Sequence, residues 1–264
     1  MIALLCSSAP AHALDTVVTS FDGTRIVTHF YGAKRSGPSP TVLVAPGYGK
    51  AGNTSPDANL SDVIGALTLR STGYNVLTWD PRGMGGSGGN VYFNSPDFEA
   101  RDVQALIDFV ATQPDALLDG PGDPRVGMSG TSYGGAIQLV SAALDPRIDA
   151  IVPDQAWHSL VTSFFKDGAL KAGWFNAICA GGEATALVGG LLSTDGVQLG
   201  TTASQLKRAC VEGITQGTVS EASRQWFADR GPGTLVNRIT APTLILTGSS
   251  DALFGTRRSR TTAS

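Results

Sequence analysis

The chain has 264 residues, 42% of them hydrophobic, which is enough for one large core and too apolar for a disordered protein. Lys and Arg number 19 against 22 Asp and Glu, a net charge of −3, and no basic run is long enough to track a phosphate backbone, so nucleic acid is not an expected partner. No apolar stretch reaches the ~20 residues of a membrane-spanning helix, and no cluster of metal-ligand residues stands out, so neither a membrane span nor a metal or other cofactor is expected.

Residues 1–13, MIALLCSSAPAHA, are short and apolar and end in Ala11-His12-Ala13, a small-x-small pattern like a signal-peptidase site, although no basic residue precedes it. The expectation is a signal peptide and a secreted or cell-envelope protein. Cleavage there removes Cys6 and leaves Cys179 and Cys210, an even pair that reads either as one disulfide in an oxidising compartment or as two buried thiols.

Strands are expected over 24–30 and 41–45, the second followed by Ala45-Pro46-Gly47-Tyr48-Gly49-Lys50. Leu60, Val63, Ile64 and Leu67 then carry a helical period that ends near Gly73. After the strand at 74–79 comes Asp80-Pro81-Arg82-Gly83-Met84-Gly85-Gly86-Ser87-Gly88, which contains a literal G-x-G-x-x-G. A dinucleotide site needs that motif to open a helix directly. Here the next helix signal comes only at Ser95-Pro96, read as N-cap and first helical position, with Val103, Leu106, Ile107 and Val110 on one face. The glycines therefore read as a structured loop.

The strand at 125–129 leads into Gly130-Thr131-Ser132-Tyr133-Gly134-Gly135 and then a helix over 133–144. Strand, G-x-S-x-G and helix together are the nucleophile-elbow arrangement, in which a serine is raised on a turn too crowded for larger neighbours. The Tyr133 amide, at the helix N-terminus, is placed to meet an oxyanion, and the loop at Tyr48 supplies a second donor through its hydroxyl or its backbone N–H. A strand at 148–153 ends at Asp154, with His158 just beyond. From about 159 to 230 the strand pattern lapses into helical pieces, an insertion read as a cap over the strand ends. The strand Pro242–Gly248 resumes the pattern and ends in a polar turn bearing Asp251, which could orient a histidine; Asp154 is the lesser candidate. Strands apolar on both faces, alternating with helices, predict a mostly parallel, doubly wound α/β sheet, with the core at 14–158 and 231–264 and the insertion at 159–230.

From about Asp22 to Phe254 the chain resembles the α/β-hydrolases of the CocE/NonD esterase and X-Pro dipeptidyl-peptidase (S15) group. The stretches DGTRIVTHFY, PTVLVAPGYGK, GYNVLTWDPRGMGGSGG, GMSGTSYGG and APTLILTGSSDALF carry the likeness, in the family's order. The resemblance implies an α/β-hydrolase fold with a helical cap, Ser132 as nucleophile, Asp251 as acid, and the Tyr133 amide with the Tyr48 hydroxyl as oxyanion donors. It implies a small-molecule ester or peptide substrate.

The family's histidine follows the acid, after one more strand. Here Asp251 is followed by no histidine, and the change from DALF to GTRRSRTTAS reads as a frameshift or early stop that removes the last strand and helix. His12 falls in the expected signal and His29 inside a strand, which leaves His158 as a weak stand-in base. Peptidase relatives need an anionic group for the substrate amine, and none of Glu183, Asp195, Glu212 and Glu221 can be given that role from sequence. The expectation is a serine hydrolase of ester or amide bonds, inactive or nearly so as written. The rival is a non-catalytic binding scaffold on the same fold.

Overall fold

Six strands make the central sheet among the residues that the computed structural model describes, namely 13–58, 63–192 and 200–254. They are β1 (Ala13–Thr19), β2 (Arg25–Tyr31), β3 (Thr41–Val44), β4 (Asn75–Trp79), β5 (Val126–Thr131) and β6 (Ile148–Asp154), in the spatial order β1-β2-β4-β3-β5-β6. The strands from β4 to β6 run parallel, and the β1–β2 hairpin adds antiparallel at one edge. Strand order reverses around β3, which opens a crevice at the carboxyl ends of β3 and β5, where ligands bind in open α/β sheets.

Beside β6 lies the segment 242–247. Its backbone joins β6 in parallel through Leu244 N–H to Ile151 O (3.0 Å), Leu246 N–H to Pro153 O (3.0 Å) and Gln155 N–H to Leu246 O (2.8 Å). Leu244 and Ile245 remain 60% and 62% exposed, so this edge is bonded to the sheet but little buried. Residues 1–12, the bulk of the expected signal, and 255–264, the tail, lie outside the described residues.

Helix α1 (Ala66–Ser71) packs through Ala66 and Leu69 on Val44 and Val76 on one side of the sheet. On the other side, α2 (Glu99–Ala111) buries Val103, Leu106, Ile107 and Val110, and α3 (Tyr133–Ala142) buries Ile137. Two helix starts differ from expectation. The first begins at Ala66, because Gly65 is extended and Val63 and Ile64 precede the helix. The second begins at Glu99, not Pro96: Ser95 Oγ accepts the Asp97 N–H (3.1 Å) and the Glu99 carboxylate takes the Ser95 N–H (2.8 Å), so 96–98 form a turn. The strand β1 has no counterpart in the sequence reading, since its alternation falls next to the presumed cleavage site.

The glycine-rich loop after β4 is pinned from inside. Asp80 accepts the Gly52 and Gly86 N–H groups, each at 2.7 Å, and Ser87 bridges the Asp80 carbonyl (2.7 Å) to the Val27 N–H (2.8 Å). Arg82 is 1% exposed and forks onto Asp102 of α2, with Nε and Nη2 both at 2.7 Å, while Nη1 reaches Asp22 in the β1–β2 turn (3.0 Å). The motif therefore fastens the hairpin and α2 to the sheet, with the Gly83, Met84, Gly86, Ser87 and Gly88 N–H groups all bonded within the protein.

The insertion carries α4 (Leu160–Phe164), a short hairpin (Phe165–Lys166 with Ala169–Leu170), α5 (Ala172–Leu192), α6 (Ser204–Gln216) and α7 (Glu221–Ala228). Phe164, Phe175 and Phe227 meet edge to face, with centroids 5.2 to 5.9 Å apart, in a core that also takes in Phe93, Tyr133 and Trp157. A disulfide joins Cys179 of α5 to Cys210 of α6, 31 positions apart. Closing a loop of that length is worth about 3 to 4 kcal/mol in the chain-entropy account. Reduction is expected to lower the melting temperature measurably while leaving the folded far-ultraviolet signal intact at low temperature. An unchanged melt with reductant would remove the bond from the stability of the insertion.

Candidate active site

Ser132 stands between β5 and α3 with φ 61 and ψ −115, a left-handed backbone that non-glycine residues rarely adopt. Its own N–H donates to Asp154 O (2.8 Å), and its carbonyl accepts from the Gly135 and Ala136 N–H groups, each at 2.9 Å. The turn is crowded: a Cβ on Gly134 would run into the Ala45 carbonyl at the end of β3, and one on Gly135 would lie 2.5 Å from Asp154 O. Asp154 also accepts from Thr131 Oγ1 (2.8 Å), so it braces the turn. Gln138, fully buried, donates to Gly130 O (3.1 Å) and Gly134 O (2.8 Å) and accepts from Val152 N–H (3.0 Å). Sequence reasoning missed Gln138, because it ties its own helix to two different strands, β5 and β6.

Among the described residues no side chain hydrogen-bonds to the Ser132 hydroxyl. The next N–H, that of Tyr133, opens α3, where the first-turn amides have no acceptor within the helix and the helix dipole is positive. Tyr48 packs its ring on Tyr133 (5.5 Å) and Phe93 (5.0 Å), with its buried hydroxyl against Gly182 of α5.

Asp251 and His158 line a cleft whose walls do not include Ser132. This open cleft of about 870 Å³ lies between the insertion and the segment 242–247, with Trp157, Lys166, Asp167 and Phe254 among its walls. The Asp251 carboxylate is turned onto its own loop, with Oδ1 accepting the Leu253 and Phe254 N–H groups at 2.8 Å each. His158 is exposed. His29 is bound to Asp15 across β1 and β2 (2.7 Å), far in the sheet from the β5 turn. Of the insertion's carboxylates, Asp195 and the Glu183 side chain lie outside the described residues, Glu212 accepts from Ser220 (2.9 Å) and Glu221 opens α7. The acid that does face the cleft from the insertion is Asp167, at the hairpin tip.

A model of the X-Pro dipeptidyl-peptidase (S15) family matches residues 22–259. The chain belongs to that family. A thiohydrolase of Arthrinium phaeospermum is 29% identical over 134 residues, 50% of this chain and 39% of that protein. The chain spans half or less of the curated relatives it matches. A CocE/NonD family hydrolase from Staphylococcus aureus superposes with a TM-score of 0.51 at 22% identity, over 63% of this chain and 32% of that one. The α/β hydrolase GrgF from a Penicillium species superposes at 0.56 and 16% identity, over 89% and 80%. At these identities the structures carry the fold, which is the α/β-hydrolase fold.

One buried acid of this S15 chain lies behind the turn. Glu99 is 4% exposed, and burial pushes its carboxyl up to about 7, against the N–H groups of Tyr92 and Ser95 that favour its charge. A carboxyl raised from an ordinary value of 4.5 holds its proton more tightly folded than unfolded. Stability from this group is thus full below pH 4.5 and lost as pH rises through 7, by on the order of 3 kcal/mol. Thermal melts from pH 5 to pH 8 are expected to show this fall in the wild type and a shallower one in Glu99→Gln. Equal slopes would mean that Glu99 does not titrate in the folded state.

Proposed function

We propose that the chain is the catalytic core of a serine hydrolase that cleaves ester or amide bonds by acyl transfer through Ser132. The observation that carries this is the backbone of Ser132, held left-handed between a parallel strand and a helix by glycines that no larger residue could replace. In this reading the Ser132 hydroxyl attacks the substrate carbonyl, the Tyr133 N–H and the Tyr48 hydroxyl hold the oxyanion, and the acyl group rests on serine until water removes it. Asp251 is the acid that a histidine would need, and residues 159–230 are a cap over the substrate. The names of two relatives support acyl chemistry: a thiohydrolase and a polyketide transferase. The substrate is a small ester or peptide, and the N-terminal segment favours export.

A second reading, a binding scaffold without catalysis, is favoured by a specific observation. No histidine meets the Ser132 hydroxyl among the described residues, and the Asp251 oxygen is spent on its own turn. Loss of the triad histidine in a comparable enzyme costs about 10⁶ in kcat, while oxyanion donors and binding alone leave roughly 10³ to 10⁴ over water. Turnover of a chromogenic short-chain ester by the 264-residue chain is therefore expected to be far below ~1 s⁻¹ yet dependent on Ser132. Ser132-dependent turnover at ~1 s⁻¹ or above would show that a base is present, with His158 the next residue to replace. Turnover that Ser132→Ala leaves unchanged would favour the scaffold.

A further inference from the structure

Tyr133 is gripped on three sides. Asn94 Nδ2 donates to its carbonyl (2.8 Å), the Asn94 N–H reaches its hydroxyl (3.4 Å), and that hydroxyl donates to Glu99 Oε1 (3.2 Å). The ring is 2% exposed and sits edge to face with Phe93 at 5.6 Å. Phe93 and Asn94 are themselves strained, with φ of 63 and 57, two successive non-glycine residues in the left-handed region. Asn94 also buries its Oδ1 with no hydrogen-bond partner among the described residues. Something must hold this bend, and Glu99 does so from both ends: Oε1 takes the Tyr92 N–H (2.6 Å) and Oε2 the Ser95 N–H (2.8 Å). One carboxylate thus bridges the two amides that flank the strained pair, and the oxygen that takes the first of them also takes the Tyr133 hydroxyl.

We infer that Glu99 is a positioning residue, which staples the Phe93–Asn94 bend and through it fixes Tyr133, and so the orientation of the amide that follows Ser132. The inference rests on the reading of Ser132 as nucleophile and of that amide as oxyanion donor. An oxyanion donor works by being aimed before the charge develops, so a small rotation of the 132–133 peptide costs rate without costing fold. The stability contribution of Glu99 points the same way, since a charged, buried carboxylate weakens the fold at neutral pH and above. When it takes up a proton, Glu99 must donate where it accepted. The partner able to reverse is the Tyr133 hydroxyl, because the Tyr92 and Ser95 amides can only donate. The charged groups around Glu99 are Asp102 on its own helix, Arg82 from the loop after β4 and Arg230 after α7, with the Tyr133 phenol facing it from α3.

The test follows the Tyr133 backbone amide by ¹⁵N–¹H NMR from pH 5.5 to 8.5, together with the rate at which a fluorophosphonate labels Ser132. In the wild type the amide shift is expected to titrate, with a midpoint near that of Glu99. Glu99→Gln should abolish the titration and slow labelling at pH 8 at least tenfold, with a melting temperature at pH 8 equal to or above the wild type. Asn94→Gly keeps the left-handed backbone without strain and loses only the grip on the Tyr133 carbonyl, so it should slow labelling as well even if Glu99→Gln folds poorly. Combining Glu99→Gln with Tyr133→Phe, which retains the amide, should slow labelling no further than either alone. Labelling by Glu99→Gln and Asn94→Gly within twofold of the wild type would overturn the inference. If Ser132 in the wild type takes no label, the nucleophile reading fails, and the amide decides separately: a titration lost in Glu99→Gln keeps the staple, and none in either protein overturns it.

Discussion

Replacement of Ser132 by alanine is expected to abolish fluorophosphonate labelling of the chain while moving its melting temperature by no more than about 1 to 2 °C. The hydroxyl has no hydrogen-bond partner among the described residues and the side chain is only half buried, so its removal opens no cavity and orphans no buried group. Alanine keeps the Cβ and therefore the left-handed strain at this position. Ser132→Gly removes that strain as well, and is expected to melt higher than either by the equivalent of about 1 kcal/mol. A serine held at a conformational cost that glycine would relieve is what separates a working residue from a turn residue. Retained labelling in Ser132→Ala, or a collapse of its stability, would move the chemistry to another residue.

The largest expected loss of stability comes from Gly134→Ala. The added methyl would run into the carbonyl of Ala45, and both atoms belong to backbone that the sheet and α3 hold in place. Neither can give without opening the join between β3 and the turn, so the cost should reach at least ~3 kcal/mol, a drop of roughly 6 to 12 °C in melting temperature. Gly181→Ala, in the interior of α5 with open space around it, is the matched control, and should stabilise by up to about 1 kcal/mol. If the two variants melt alike, the close approach of the turn to β3 is not what its glycines are for.

The turn was legible because its logic is local: a strand, two crowded glycines around a serine, and a helix fit into a dozen residues. The alternation of strands was legible for the same reason: five expected strands lie within a residue or two of β2 to β6, whereas 242–248 makes only two isolated bridges to β6 in place of a strand, and β1 was not expected. What could not be read depends on partners far apart in the chain. The start of α2 shifts to Glu99 because one carboxylate oxygen of Glu99 itself captures the Ser95 amide, while its other oxygen accepts from the hydroxyl of Tyr133, 34 positions later. Arg82 was visible as part of a motif, but its fork onto Asp102 and its reach to Asp22 were not. Asp251 and His158 were singled out one by one; only the fold shows that they share a cleft, and that the acid there is committed to its own turn.

The pairing of 242–247 with β6 also bears on how the molecule assembles. Residues 155–241 intervene between β6 and this segment, so this rung of the sheet forms only when the ends of that long stretch find each other, and it brings little buried surface to reward the meeting. The disulfide lies wholly inside that segment and short-circuits the stretch from Cys179 to Cys210. Closure entropy grows only with the logarithm of length, so the shortcut is worth about 0.4 kcal/mol, or roughly a doubling of the closing rate. A covalent bond between two helices thus eases, modestly, the closing of a sheet edge to which neither cysteine belongs.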